Sequence, residues 1–144
     1  MTPAQRAAVV AEAATWLHTP YHHHARIKGV GVDCAQLLLA VYPALGLANP
    51  ADPGFYPVDW HMHHSQEIYM HCLQAAGAVR TSVPLPGDIA LFKFGRCYSH
   101  GAIVVEGGLL VHAYLGRGVI VSRASEEPLD GRLVLHWTLP GATA

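Results

Sequence analysis

The spacing of apolar residues changes along this chain, and that change constrains the fold more than any other feature. Thr2-Pro3-Ala4-Gln5 reads as a helix start, with Thr as N-cap, Pro at the first helical position and Gln three residues after the cap. A first helix is expected to about His18, where Thr19-Pro20 stops it. Tyr21 to Val32 follows neither period and reads as a loop. Asp33 is placed to cap a second helix bearing Leu37, Leu38, Val41 and Leu45 on one face, with Gly46 as its stop. Prolines punctuate Asn49 to Pro57, and helical spacing returns from Ser65 to Ala76. From Asp88 onward the pattern switches. Asp88 to Phe94, His100 to Val105, Leu109 to Tyr114, Val119 to Ser122 and Leu133 to Leu139 are short apolar runs bounded by turn residues, as strands of one sheet would be.

Helices first and strands later, with connections too short for repeated crossover helices, predict an α+β fold. N-terminal helices should pack on a mainly antiparallel sheet of about five strands. The 144 residues suit a single domain spanning 1–144. Apolar residues make up 51% and charged residues 13%, enough apolar material for a core and too little charge for a disordered chain. A net charge of −1 offers no basic surface for phosphates, so nucleic acid is not an expected partner. The sparse charge leaves room for a homo-oligomer or larger assembly that buries apolar surface. No charged segment followed by an apolar run marks a signal peptide, and no stretch has the length of a membrane span. The expectation is therefore no membrane partner.

Cys34, Cys72 and Cys97 are an odd number without a C-x-x-C pair, which argues against a disulfide framework or a cysteine-rich zinc site. Cys34 stands out because it falls in the first turn of the second predicted helix, where unpaired N–H groups and the helix dipole favour a thiolate. A nucleophilic cysteine needs a base, and His100 opens a predicted strand. The base needs an orienting partner. If Glu106-Gly107-Gly108 is a three-residue hairpin loop, Val105 faces Leu109 and Ala102 faces His112, which makes His100 and His112 diagonal neighbours on one face. A two-residue loop would separate them. A second imidazole can accept a hydrogen bond from the first and fix its tautomer.

These residues resemble the NlpC/p60 family of papain-like cysteine peptidases, which cleave peptide stems of bacterial cell walls. The resemblance spans nearly the whole chain and rests on Thr19-Pro20-Tyr21, Gly31-Val32-Asp33-Cys34-Ala35-Gln36-Leu37-Leu38, Pro86-Gly87-Asp88-Ile89-Ala90-Leu91-Phe92, Ser99-His100-Gly101-Ala102-Ile103 and Val111-His112-Ala113, in that order. It implies Cys34 as nucleophile, His100 as general base and acid, and His112 as orienting residue, with the Cys34 N–H helping to hold the oxyanion. It also implies Tyr21 as the tyrosine beside the nucleophile and Asp33 as an acidic residue for the substrate amine. The chain departs from the pattern at Ala35, where many members carry serine.

The implied activity is hydrolysis of peptidoglycan stem peptides at the γ-D-glutamyl to diamino-acid bond. The chain further resembles phage-type members associated with tail tips and tail assembly, and Asp59-Trp60-His61-Met62-His63-His64-Ser65 with Glu67 adds to that likeness. Phage tail proteins are accordingly implied partners, and the expected location is the cytoplasm of a bacterial host or a virion tail. The competing reading is a structural tail module in which hydrolysis is secondary or lost.

Histidine is abundant, at eleven residues. His22, His23, His24, His61, His63, His64 and His71 nevertheless lack a constrained ligand spacing, so neither a metal nor another cofactor is expected. The His22 to His24 stretch weighs toward a solvated loop over a substrate contact. Core packing is the expectation for Cys72 and Trp60, and a solvated role for Arg96, Arg117 and Arg123.

Overall fold

The first helix begins where its capping signals place it. In the computed structural model, which describes residues 1–48 and 67–141, Thr2 Oγ1 accepts the Gln5 N–H at 3.1 Å and Gln5 Oε1 accepts the Thr2 N–H at 2.8 Å. Helix α1 is Pro3–Ala14, shorter than expected, and turns lead on to His18, which has a left-handed φ of 70°. Strands β1 (Arg26–Ile27) and β2 (Gly31–Val32) form a small hairpin in what reads locally as a loop. Helix α2 is Cys34–Ala44 and helix α3 is Ile68–Ala75. Pro43 lies inside α2 and cannot donate to the carbonyl four residues back, and Arg26 Nη1 donates to that Leu39 carbonyl at 3.4 Å. The Asn49 to Pro57 connection, the Asp59 to Ser65 stretch with Trp60 and its histidines, and the start of the third predicted helix lie outside the described residues.

The main sheet comprises β3 (Val79–Thr81), β4 (Ile89–Phe94), β5 (Cys97–Val104), β6 (Leu109–Tyr114), β7 (Gly118–Arg123) and β8 (Val134–Thr138). Its order is β3-β8-β4-β5-β6-β7, with every neighbouring pair antiparallel. It has six strands, one more than expected, because Val79-Arg80-Thr81 is a short edge strand whose residues are largely exposed and carry no alternating signal.

Strand β4 is buried on both faces. Ile89 and Leu91 join the core beneath the helices with Val9, Leu37, Val41, Ile103 and Val119. Ala90, Phe92 and Phe94 join a smaller core on the other side with Ala102, Leu110 and Leu129. That two-sided burial explains why the segment reads as a continuous apolar run.

Pro86-Gly87-Asp88 locks α1 to this sheet. Arg6 Nη1 donates to Asp88 Oδ1 at 2.8 Å and to the Pro86 carbonyl at 3.1 Å, while Asp88 Oδ2 accepts the Leu85 N–H at 2.8 Å. Gly87 has a φ of 95°, and a Cβ there would stand 3.2 Å from the Arg6 Cα, so the close approach requires glycine. The Tyr42 hydroxyl donates to the Gly87 carbonyl at 2.8 Å and ties α2 to the same corner.

Candidate active site

Asp33 sets the geometry around Cys34. Its Oδ1 accepts the Gln36 N–H at 2.8 Å as an N-cap, and the Leu37 N–H bonds the Asp33 carbonyl at 2.9 Å. The N–H groups of Cys34 and Ala35, in the open first turn, favour the charged form of the sulfur. Asp33 Oδ2 accepts the His24 N–H at 2.8 Å and holds that residue at a left-handed φ of 65°. The Asp33 residue is wholly enclosed. The carboxylate implied to recognise a substrate amine is therefore engaged by backbone N–H groups, with His23 Nδ1 a further 3.8 Å from Oδ2.

The Thr19-Pro20-Tyr21 segment is held against β2. The Val32 N–H donates to the Pro20 carbonyl and the His22 N–H to the Val32 carbonyl, both at 3.0 Å. Tyr21 is thereby brought near Cys34, and burial, then the Cys34 and Asp33 charges, push its pKa upward.

The sheet opens where the sulfur arrives. Phe92 pairs with His100 but Lys93 pairs with Tyr98, so Ser99 is the extra residue of a bulge in β5. On its other side β5 pairs with β6 only at Ile103–Val111 and Val104–Leu110, whereas β6 follows β7 as far as Tyr114–Gly118. The Cys34 thiol enters this gap and donates to the Ser99 carbonyl at 3.6 Å, with the Gly101 N–H also directed at the sulfur. The thiol thus meets the backbone on both sides of His100. Tyr69 braces the contact from α3, its hydroxyl donating to the Cys34 carbonyl at 3.1 Å. A Cβ on Gly101 would fall 2.7 Å from Tyr69 Cζ, so that position has no room for a side chain. Glu67 Oε2 ties the start of α3 to β5 by accepting the Tyr98 N–H at 2.9 Å.

The hairpin register is the expected one. Glu106–Gly108 forms the three-residue connection, and the Val105 N–H bonds the Leu109 carbonyl at 2.9 Å. His100 Nε2 and His112 Nδ1 lie 2.7 Å apart with their rings nearly perpendicular at 87°. His112 Nε2 continues to Ser122 Oγ at 2.9 Å. Phe94 and Tyr114 stand beside His100, with ring centroids 4.9 Å and 5.8 Å away.

Burial, then the Arg117 guanidinium, holds the His112 pKa down to about 4, so this ring is neutral near pH 7. The thiol behaves contrary to its helix-start expectation. Although the residue is only partly covered, its sulfur is enclosed, and burial followed by the Asp33 charge pushes the Cys34 pKa up to about 12. Desolvation outweighs the N–H groups of the helix start, and the resting group is a thiol.

Tyr69 and Ser122 were missed by sequence reasoning. Tyr69 reads as one more apolar position of a helix. Ser122 would have been found by extending the hairpin logic one strand further: His112 pairs with Ile120, so Ser122 is its diagonal neighbour on the same face. Cys97 is fully buried and Cys72 half-buried. Among the described residues no group of three or more His, Cys, Asp or Glu side chains could hold a metal ion. Nor is any described helix long and apolar enough to cross a membrane.

Comparison with solved structures places this arrangement in a known fold. The NlpC/p60 domain of the peptidoglycan hydrolase SagA superposes with a TM-score of 0.59 at 23% identity, covering 90% of this chain and 96% of that one. An NlpC/p60 family protein from Bacillus cereus ATCC 10987 gives 0.63 at 18% identity over 94% of this chain. A protein from Staphylococcus aureus subsp. aureus Mu50, described as similar to lipoprotein of the NLP/P60 family, gives 0.63 at 18% identity over 96% of this chain. The chain spans 40% and 42% of the length of these last two. No protein-family model and no curated protein matches the sequence. The chain has the papain-like α+β fold of NlpC/p60 domains.

Proposed function

We propose that this chain is a cysteine endopeptidase of the NlpC/p60 type that hydrolyses peptidoglycan stem peptides through Cys34, His100 and His112. The observation that carries the reading is the contact of the Cys34 thiol with the Ser99 carbonyl, next to His100 in β5, together with the 2.7 Å contact of His100 and His112. Likeness to a domain described as part of a peptidoglycan hydrolase supports the substrate class. Family resemblance alone supplies the bond, between γ-D-glutamate and the diamino acid, and the setting, a phage tail-associated cell-wall hydrolase.

With His100 Nε2 engaged by His112 at 2.7 Å, we assign Nδ1 as the ring nitrogen that takes the proton of Cys34. The thiol, which at rest donates to the Ser99 carbonyl, gives its proton to that nitrogen as sulfur attacks the peptide carbonyl. The Cys34 N–H helps to hold the oxyanion. Collapse breaks the C–N bond, and His100 returns its proton to the leaving amine. Water then attacks the thioester with His100 as base, releasing the carboxylate and restoring the thiol. Tyr21, near enough for the Cys34 and Asp33 charges to raise its pKa, is the candidate for a substrate contact, while Asp33 shapes the adjoining loop through His24.

The test is incubation of purified muropeptides with the native chain and with Cys34→Ala. New amines should appear with the native chain alone, and mass analysis of the fragments identifies the bond. Two inert preparations would refute the peptidase and favour the structural tail module. Fractionation of virions with an antibody to the chain checks the tail assignment.

A further inference from the structure

The geometry points to Ser122 as a positioning residue that selects the reactive tautomer of His100 through His112. Three side chains on three adjacent strands, β5, β6 and β7, form one diagonal line: His100 Nε2 to His112 Nδ1 at 2.7 Å, then His112 Nε2 to Ser122 Oγ at 2.9 Å. His112 is wholly enclosed and Ser122 is buried, so bulk water does not substitute for either partner.

Two proton arrangements satisfy these distances. In one, His100 Nε2–H donates to His112 Nδ1, and His112 Nε2–H donates to Ser122 Oγ. His100 Nδ1 is then unprotonated and accepts the thiol proton. In the other, the Ser122 hydroxyl donates to His112 Nε2, His112 Nδ1–H donates to His100 Nε2, and His100 carries its proton on Nδ1, where it cannot act as the base.

A neutral His112 has one ring proton to place, so the two nitrogens are coupled. Ser122 is the acceptor that lets His112 keep this proton on Nε2. Without the hydroxyl, that arrangement buries an N–H with no acceptor, whereas the alternative leaves only an unused ring lone pair, the lesser penalty. The equilibrium then moves to the unreactive tautomer. The same contact matters more once His100 becomes an imidazolium, because its Nε2–H donates more strongly and requires His112 Nδ1 to remain an acceptor.

The kinetic consequence rests on the hydrolase reading, but the tautomer does not, and the experiment separates them. Nitrogen-15 NMR of histidine-labelled protein reports which ring nitrogen carries the proton without any substrate. The native chain should show His112 protonated on Nε2 and His100 on Nε2. Ser122→Ala should shift both protons to Nδ1. Ser122→Thr and Ser122→Val are close in shape and differ in the hydroxyl, so this pair decides the matter even if the alanine variant folds poorly.

Threonine should retain the native tautomers and valine should lose them. On muropeptides, valine should lower kcat about tenfold with KM unchanged, the factor expected for one neutral hydrogen bond, and threonine should restore it. The assignment is overturned if His112 carries its proton on Nδ1 in the native chain, or if valine and threonine show the same tautomers. Inactivity of the native chain would refute the hydrolase while the NMR comparison still decides the role of Ser122.

Discussion

Acidification tests the buried imidazole most directly. His112 is wholly enclosed, and burial followed by Arg117 holds its pKa down to about 4, against 6.5 for an ordinary histidine. Among the described residues, His100, Tyr114 and Ser122 are the other polar groups facing the ring. Between those two pH values the unfolded chain binds a proton that the folded chain refuses. The contribution to stability is therefore complete above 6.5 and is lost as the pH falls toward 4. The whole gap corresponds to about 3 kcal/mol, most of it gone near pH 4.5. For a chain of this size that is roughly 10 °C in Tm. His136 acts in the same direction, because burial also lowers its pKa. The informative comparison is consequently with His112→Asn, which leaves His136 in place. Thermal denaturation followed by circular dichroism near pH 7.5 and 4.5 should show the native chain losing roughly 10 °C more than the variant. Equal losses in the two proteins would refute a buried, neutral His112.

Two further measurements examine the scaffold and the Cys34 thiol. Arg6→Met strands the Asp88 carboxylate, whose side chain is 2% exposed, and should destabilise the fold by about 3 kcal/mol in urea denaturation. A loss below about 1 kcal/mol would show that the pair does not anchor α1. Alkylation of Cys34 by iodoacetamide near pH 8, followed by mass analysis of its peptide, should be slower by more than about tenfold than that of an unburied thiol. Asp33→Asn retains a capping side chain but removes the charge that raises the thiol pKa, so it should accelerate alkylation. An unchanged rate in that variant would remove Asp33 from the account of the thiol.

What was legible in the sequence was local. Thr2 and Gln5 specify the start of α1, Asp33 specifies the start of α2 and thereby the place of Cys34, and Glu106-Gly107-Gly108 specifies the register that makes His100 and His112 neighbours. Each is a short-range match of side chain to backbone, readable within a few residues. Other features depend on which distant segments meet. The Ser99 bulge, the bracing of Cys34 by Tyr69 and the contact of His112 with Ser122 arise between elements far apart in the chain, and no local period encodes them. Burial is decided in the same way. The start of α2 predicts an activated thiolate, but the packing around the sulfur keeps the proton on it, because desolvation depends on everything that surrounds a group and its sequence neighbours supply only part of that. Short-range signals thus name the residues that meet at the site, whereas packing sets their surroundings and partners, because burial is summed over contacts from the whole fold.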